Sequence, residues 1–206
     1  MYPPRKAKFA RSRLSLSYGA AIPGRVSCIC WTTLSSASRY WRERIREIRE
    51  GRFKVSFNQG INCRCLSEEA AEAIASVNYR DDSMQEKRIY TAWDSRGDET
   101  QLFAGLGRLV KYGVKPDDIM VYMLCGYWPG ETHEDRDYRR RRLREFGARP
   151  FPMPFERTPE LVGFQRWVIG AYDKRVPWQD WADANYQPRN LRPPPTFPLW
   201  ETPGRD

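Results

Sequence analysis

The chain has 206 residues, 40% hydrophobic and 14% aromatic, enough apolar material for a buried core and a composition that excludes wholesale disorder. No apolar run reaches membrane-spanning length, no segment has signal-peptide anatomy, and five cysteines in this length do not make a secreted disulfide scaffold. The expectation is a soluble cytoplasmic protein with no membrane partner. The formal net charge of +9 is concentrated early: residues 1–38 hold six basic and no acidic side chains, leaving 29 basic against 26 acidic elsewhere.

Residues 1–38 lack β/α periodicity and are read as a basic, poorly ordered extension. Then R-Y-W-R-E-R-I-R-E-I-R-E sets Trp41, Ile45 and Ile48 at i, i+4 and i+7, an amphipathic helix closed by Gly51. F-K-V-S-F reads as a short strand, and S-E-E-A-A-E-A-I-A-S-V as a helix capped by Ser67. Strand K-R-I-Y-T-A-W, helix E-T-Q-L-F-A-G-L-G-R-L-V-K-Y and strand D-I-M-V-Y-M-L-C follow. Thr132 and Asp135 have capping-box spacing and open a helix running toward Phe146. Arg139 to Arg142 lie in that helix with acids on both sides and read as a solvated face. Strand R-P-F-P-M-P-F and helix T-P-E-L-V-G-F-Q-R-W-V-I, with Pro159 in its first turn, close the pattern.

Strand ends near Phe57, Ala92, Leu124 and Met153 recur about every thirty residues, the spacing of parallel β/α units. The fold expected is α/β: a partial (β/α) barrel of about four parallel units over residues 39–175, with irregular extensions before and after it. The tail, residues 176–206, is rich in Pro and Trp, and Pro193 to Pro195 favour extended polyproline II. Three strands run directly into polar or glycine-rich turns, F-N-Q-G, A-W-D-S-R-G-D and L-C-G-Y-W-P-G-E-T. In β/α folds such turns gather at one mouth, where ligands bind. Asn58, Gln59, Arg64, Asp94, Gly126, Gly130 and Glu131 are therefore candidates for one site, although each taken singly also reads as a turn or cap residue.

V-Y-M-L-C-G-Y-W-P-G-E-T-H-E-D resembles the fifth-strand signature of radical S-adenosylmethionine (SAM) enzymes, with one extra residue between its first glycine and its proline. V-S-F-N-Q-G-I-N-C-R-C-L is similar to the third strand of that barrel in a subgroup found in phage-like and mobile elements. R-I-Y-T-A-W-D resembles the fourth strand and R-P-F-P-M-P-F-E-R the sixth. The resemblance covers about residues 39–172 and rests on the order of the motifs. It implies a [4Fe-4S] cluster held by C-x3-C-x2-C, with SAM cleaved reductively to a 5′-deoxyadenosyl radical. It also implies that Asn58 and Arg64 face the polar parts of SAM, with Gln59 among the cofactor-binding residues, and that Asp94 lies near its ribose or carboxylate. Gly126 and Gly130, with Glu131 after them, would admit close backbone approach, and the Phe151–Phe155 strand, Met153 included, would flank the adenine.

The cysteines depart from that family. Cys28, Cys30, Cys63, Cys65 and Cys125 contain no C-x3-C-x2-C. Two C-x-C pairs in strands would each face one side and can clamp a soft metal. Zinc sites use wider spacing, however, and His133 is the single histidine, so no metal ligand is assigned. Where the family places a strand of the type V-x-L-L-D-N-x-F-F, this chain has R-V-S-C-I-C-W-T-T-L-S-S. Permissible codons for that segment, read one base later, encode the expected type, so a shifted frame is one origin for residues 1–38 and a divergent basic extension is the other. With its first two strands absent, V-S-F would lie at an open edge. The expectation is a truncated radical SAM-like protein, ancestrally an enzyme, without its cluster and inactive as written; its substrate is unknown. The alternative is a non-catalytic β/α module that binds a nucleotide or nucleic acid through the basic arm and the arginine-rich helix.

Overall fold

A computed structural model describes the backbone of residues 27–29 and the whole of residues 41–185. The elements in chain order are β1 (Ser27–Ile29), α1 (Trp41–Glu50), β2 (Lys54–Ser56), α2 (Glu68–Ala75), β3 (Asn78–Arg80), β4 (Ile89–Ala92) and α3 (Glu99–Lys111). These are followed by β5 (Ile119–Cys125), α4 (His133–Phe146), β6 (Arg149–Pro154), α5 (Pro159–Ile169) and α6 (Trp178–Asn185). The strands form two three-stranded sheets, β1-β2-β3 and β4-β5-β6. The fold is mixed α/β with parallel strands, and the described residues contain no closed barrel. Among them, no helix is long and apolar enough to cross a membrane.

The described residues fall into two compact units. The first runs to Tyr90 and includes Ala104–Val114; the second holds Thr91–Phe103 and the residues from Lys115 onward.

In the first unit, α1 buries the Trp41, Ile45 and Ile48 stripe that its sequence period defines. Ser67 caps α2 by accepting from the Ala70 N–H at 3.2 Å, and Arg42 of α1 holds Glu69 of α2 with two 2.5 Å hydrogen bonds. Two expectations change here. β2 is not an edge strand: it pairs in parallel with β1 on one side (Val55 with Cys28) and with β3 on the other (Val55 with Tyr79). β3 itself, Asn78–Arg80, is a strand that the four-unit reading does not contain. Apart from the β1 backbone, the extension assigned to residues 1–38 lies outside the described residues.

The second unit is organised by β5. Its alternate residues Ile119, Val121, Met123 and Cys125 are fully buried, while Met120, Tyr122 and Leu124 are half-buried. β6 pairs with β5 in parallel from Met120–Arg149 to Cys125–Pro154, and the main chain of Trp93 donates to Tyr122 O at 2.8 Å. Helices α4 and α5 pack on these strands, with Leu143, Leu161 and Phe164 buried. A full capping box, Thr132 with Asp135, starts α4, and Thr158 followed by Pro159 starts α5. Residues 178–185, read from sequence as part of an irregular tail, form α6 and bury Trp181. The Pro193–Pro195 segment lies outside the described residues.

Candidate functional site

The predicted site residues divide between the units: Asn58, Gln59 and Arg64 belong to the first, and Asp94, Gly126, Gly130, Glu131 and Met153 to the second. In the first unit, Asn58 is half-buried, and its Oδ1 is sequestered with no partner among the described residues. Gln59 is exposed. Arg64 is exposed on a single 3-10 turn, Cys63–Cys65, where its N–H and Nε both donate to Asn62 Oδ1, at 3.2 and 3.3 Å. The turn also separates the two thiols, leaving Cys63 buried and Cys65 exposed. The shared-face geometry considered for a C-x-C pair in a strand therefore does not apply to them.

In the second unit, three strand ends meet. Asp94 Oδ1 accepts from the Leu124 N–H at 3.2 Å, and the Asp94 carbonyl accepts from the Trp128 indole at 3.0 Å. The Phe155 N–H donates to Cys125 O at 2.8 Å. Asp94, the loop after β5 and the residue after β6 are thus tied by direct bonds. Glu131 is buried, and both its oxygens are engaged: Oε1 by Arg139, Oε2 by the Gly126 N–H, with Arg136 Nη1 at 3.8 Å from Oε2. Arg139, 1% exposed, also donates to the carbonyls of Trp93 (2.9 Å), Asp94 (3.2 Å) and Leu124 (3.0 Å). A buried guanidinium and carboxylate in this setting satisfy each other and the strand-end carbonyls together.

The glycines have different surroundings. Gly126 has φ +81°, and a Cβ there would overlap Leu161 Cδ1, so the close approach it permits is to α5. Gly130 has φ +80° and open space around it. Met153 of β6 is exposed, as are Phe155 (56%) just after that strand and Tyr127 (47%) and Trp128 (48%) in the loop after β5. Tyr127 meets Trp128 and Phe155 edge to face, with centroids 5.0 and 4.9 Å apart, making an open aromatic cluster beside the strand ends.

Sequence reasoning missed the arginines that build this region. Arg136 and Arg139 are buried rather than solvated, and Arg140 and Arg144 close on Asp173, whose side chain is fully buried. Only Arg141 and Arg142 of the run keep substantial exposure, and both are ion-paired. The signal that was present is the spacing Glu131, Arg136, Arg139: an acid in the preceding loop and two bases on one helix face.

Among the described residues, no cluster of three or more His, Cys, Asp or Glu side chains can hold a metal ion. The described cysteines do not fit an iron–sulfur centre, which needs several thiolates converging on one point. Besides the divergent Cys63 and Cys65, burial pushes the Cys125 thiol up to about 11, opposed by Arg139, and Cys125 Sγ donates to Met123 O at 3.2 Å. Comparison with known proteins finds no matching family model, no matching curated protein and no matching solved structure.

Proposed function

We propose that the second unit is the nucleoside-facing part of a radical SAM-type partial (β/α) barrel, carried in a chain whose own cysteines do not supply the cluster. The observation that supports this reading is the junction of strand ends: Asp94, the Gly126–Trp128 loop and Phe155 are joined by direct hydrogen bonds, with aromatic faces open beside them. Adenine would stack on Phe155 and meet Tyr127 edge to face, with Met153 alongside, and the Asp94 oxygen not committed to Leu124 would accept from ribose hydroxyls. Glu131 holds the loop rather than the ligand, since both its oxygens are engaged within the protein. SAM contributes a cleavable adenosyl group in the family. Its reductive cleavage needs an electron from the cluster, and no such step is assigned to this chain.

Calorimetric titration of the full chain with SAM and with S-adenosylhomocysteine tests the reading. Saturable binding is expected, weakened about tenfold by Phe155→Ala, or about 1.4 kcal/mol, within the range for loss of one base–aromatic stack. The absence of saturable binding, or binding indifferent to both Phe155→Ala and Asp94→Asn, rejects it. Anaerobic reconstitution is expected to leave the chain without stoichiometric iron and sulfide. Nucleic-acid binding is the competing outcome, recognised by steep salt dependence; the arginines of α4 are already engaged by carboxylates, which leaves little of that helix for phosphate.

A further inference from the structure

We propose that His133 and Trp178 form a pH-sensitive latch that holds α6 against α4 and α5. His133 is the first residue of α4, and its ring stacks on Trp178, the first residue of α6, with centroids 4.9 Å apart and planes 22° apart. Phe164 of α5 meets the same imidazole edge-on at 5.5 Å. Trp178 continues the cluster to Trp167 at 5.6 Å and to Trp181 at 5.8 Å. The imidazole is thus the polar member of an otherwise apolar contact between three helices.

The surroundings suit a neutral ring and disfavour a charged one. Nδ1 is buried with no partner among the described residues, so a proton added there becomes a buried donor without an acceptor. The ring also sits at the positive end of a helix dipole. The charged groups facing it are Arg136, Asp137 and Arg140 of α4 and Glu160 of α5. Both carboxylates are already committed: Glu160 to Arg136, and Asp137 to Arg140 (2.6 Å) and Arg141 (3.0 Å). The Trp178 face offers a cation some attraction, but burial dominates and, with Arg136, pushes the imidazole below its ordinary value.

An unfolded histidine titrates near pH 6.5, and the folded ring titrates lower. The latch is therefore complete above about pH 6.5, weakens as pH falls toward the folded value, and changes no further below it. Releasing α6 would also dismantle the groove of about 700 Å³ that Trp181, Ala184 and Asn185 line together with Gln165, Ile169 and Tyr172 of the preceding segment.

The chain has one histidine, so its titration can be read without ambiguity. The test uses the full chain and follows the histidine ring protons by NMR, together with hydrogen exchange of residues 178–185, between about pH 7.5 and about pH 5. The ring is expected to titrate below about 6.5. Over the same range the α6 amides should lose roughly threefold or more of their protection after correction for intrinsic exchange. His133→Phe keeps the stack and should make that protection independent of pH; Trp178→Leu should lower it at every pH. A ring value at or above that of a free histidine overturns the proposal in the unmodified protein, whatever the variants do. So does an α6 protection factor constant with pH, or one with the same pH response in His133→Phe.

Discussion

The Arg139 guanidinium is bound to the Glu131 carboxylate while its remaining hydrogens reach the carbonyls that end β4 and β5. The pair is almost fully buried, so neither charge can be removed without leaving the other exposed to a low-dielectric interior. Arg139→Met is expected to cost about 3–5 kcal/mol, measured as a lower urea midpoint. Adding Glu131→Gln should recover part of that loss by removing the stranded charge. A single variant as stable as the parent would show that the pair is dispensable.

The two positive-φ glycines of the same loop should respond unequally to alanine. At Gly126 the strained backbone is joined by overlap with Leu161, and a loss of about 2–3 kcal/mol is expected. At Gly130 only the backbone term applies, about 1 kcal/mol. Thermal unfolding of both variants checks the order.

The α4 cap makes part of the stability sensitive to strong acid. Hydrogen bonds from the Thr132 backbone and hydroxyl, then from Arg96, hold the Asp135 carboxyl down to about 2, against an ordinary 3.8. Because the folded value is the lower one, this contribution is present above pH 3.8 and lost as pH falls toward 2. Thr132→Ala should lower stability by about 1 kcal/mol at neutral pH and flatten the acid limb of the unfolding curve. An unchanged acid limb would place the sensitivity elsewhere.

Thiol reactivity separates the described cysteines. Iodoacetamide at neutral pH should modify exposed Cys65 well before Cys63 or Cys125, with peptide mapping to identify the sites. Cys125 combines burial with a thiol pushed up to about 11, so it should label only on unfolding. Rapid native labelling of Cys125 would contradict the packing of β5.

The elements with a long hydrophobic period were legible in the sequence. The strand at β5, the Trp41–Ile45–Ile48 stripe, the caps at Ser67 and Thr132 and the first-turn position of Pro159 all appear where the residues suggested. β3 was not legible, because three residues, Asn78 to Arg80, carry no measurable period and owe their strand to pairing with β2. α6 was hidden by prolines on both sides and by a composition that favours extended chain. The candidate site was half legible. Its loop residues stood out, but the burial of Arg136 and Arg139 depends on a carboxylate arriving from a different segment, and a run of arginines alone looks like a solvated helix face.

The bonds of Arg139 have a consequence for how this region opens. One side chain on α4 is shared by the ends of two strands and by the loop that follows β5. Detaching either strand end strips carbonyl acceptors from a buried guanidinium, and detaching the loop removes its counter-charge. Strand ends and loop should therefore exchange their protected amides as one cooperative block, with a common opening free energy, rather than fraying residue by residue from the rim inward.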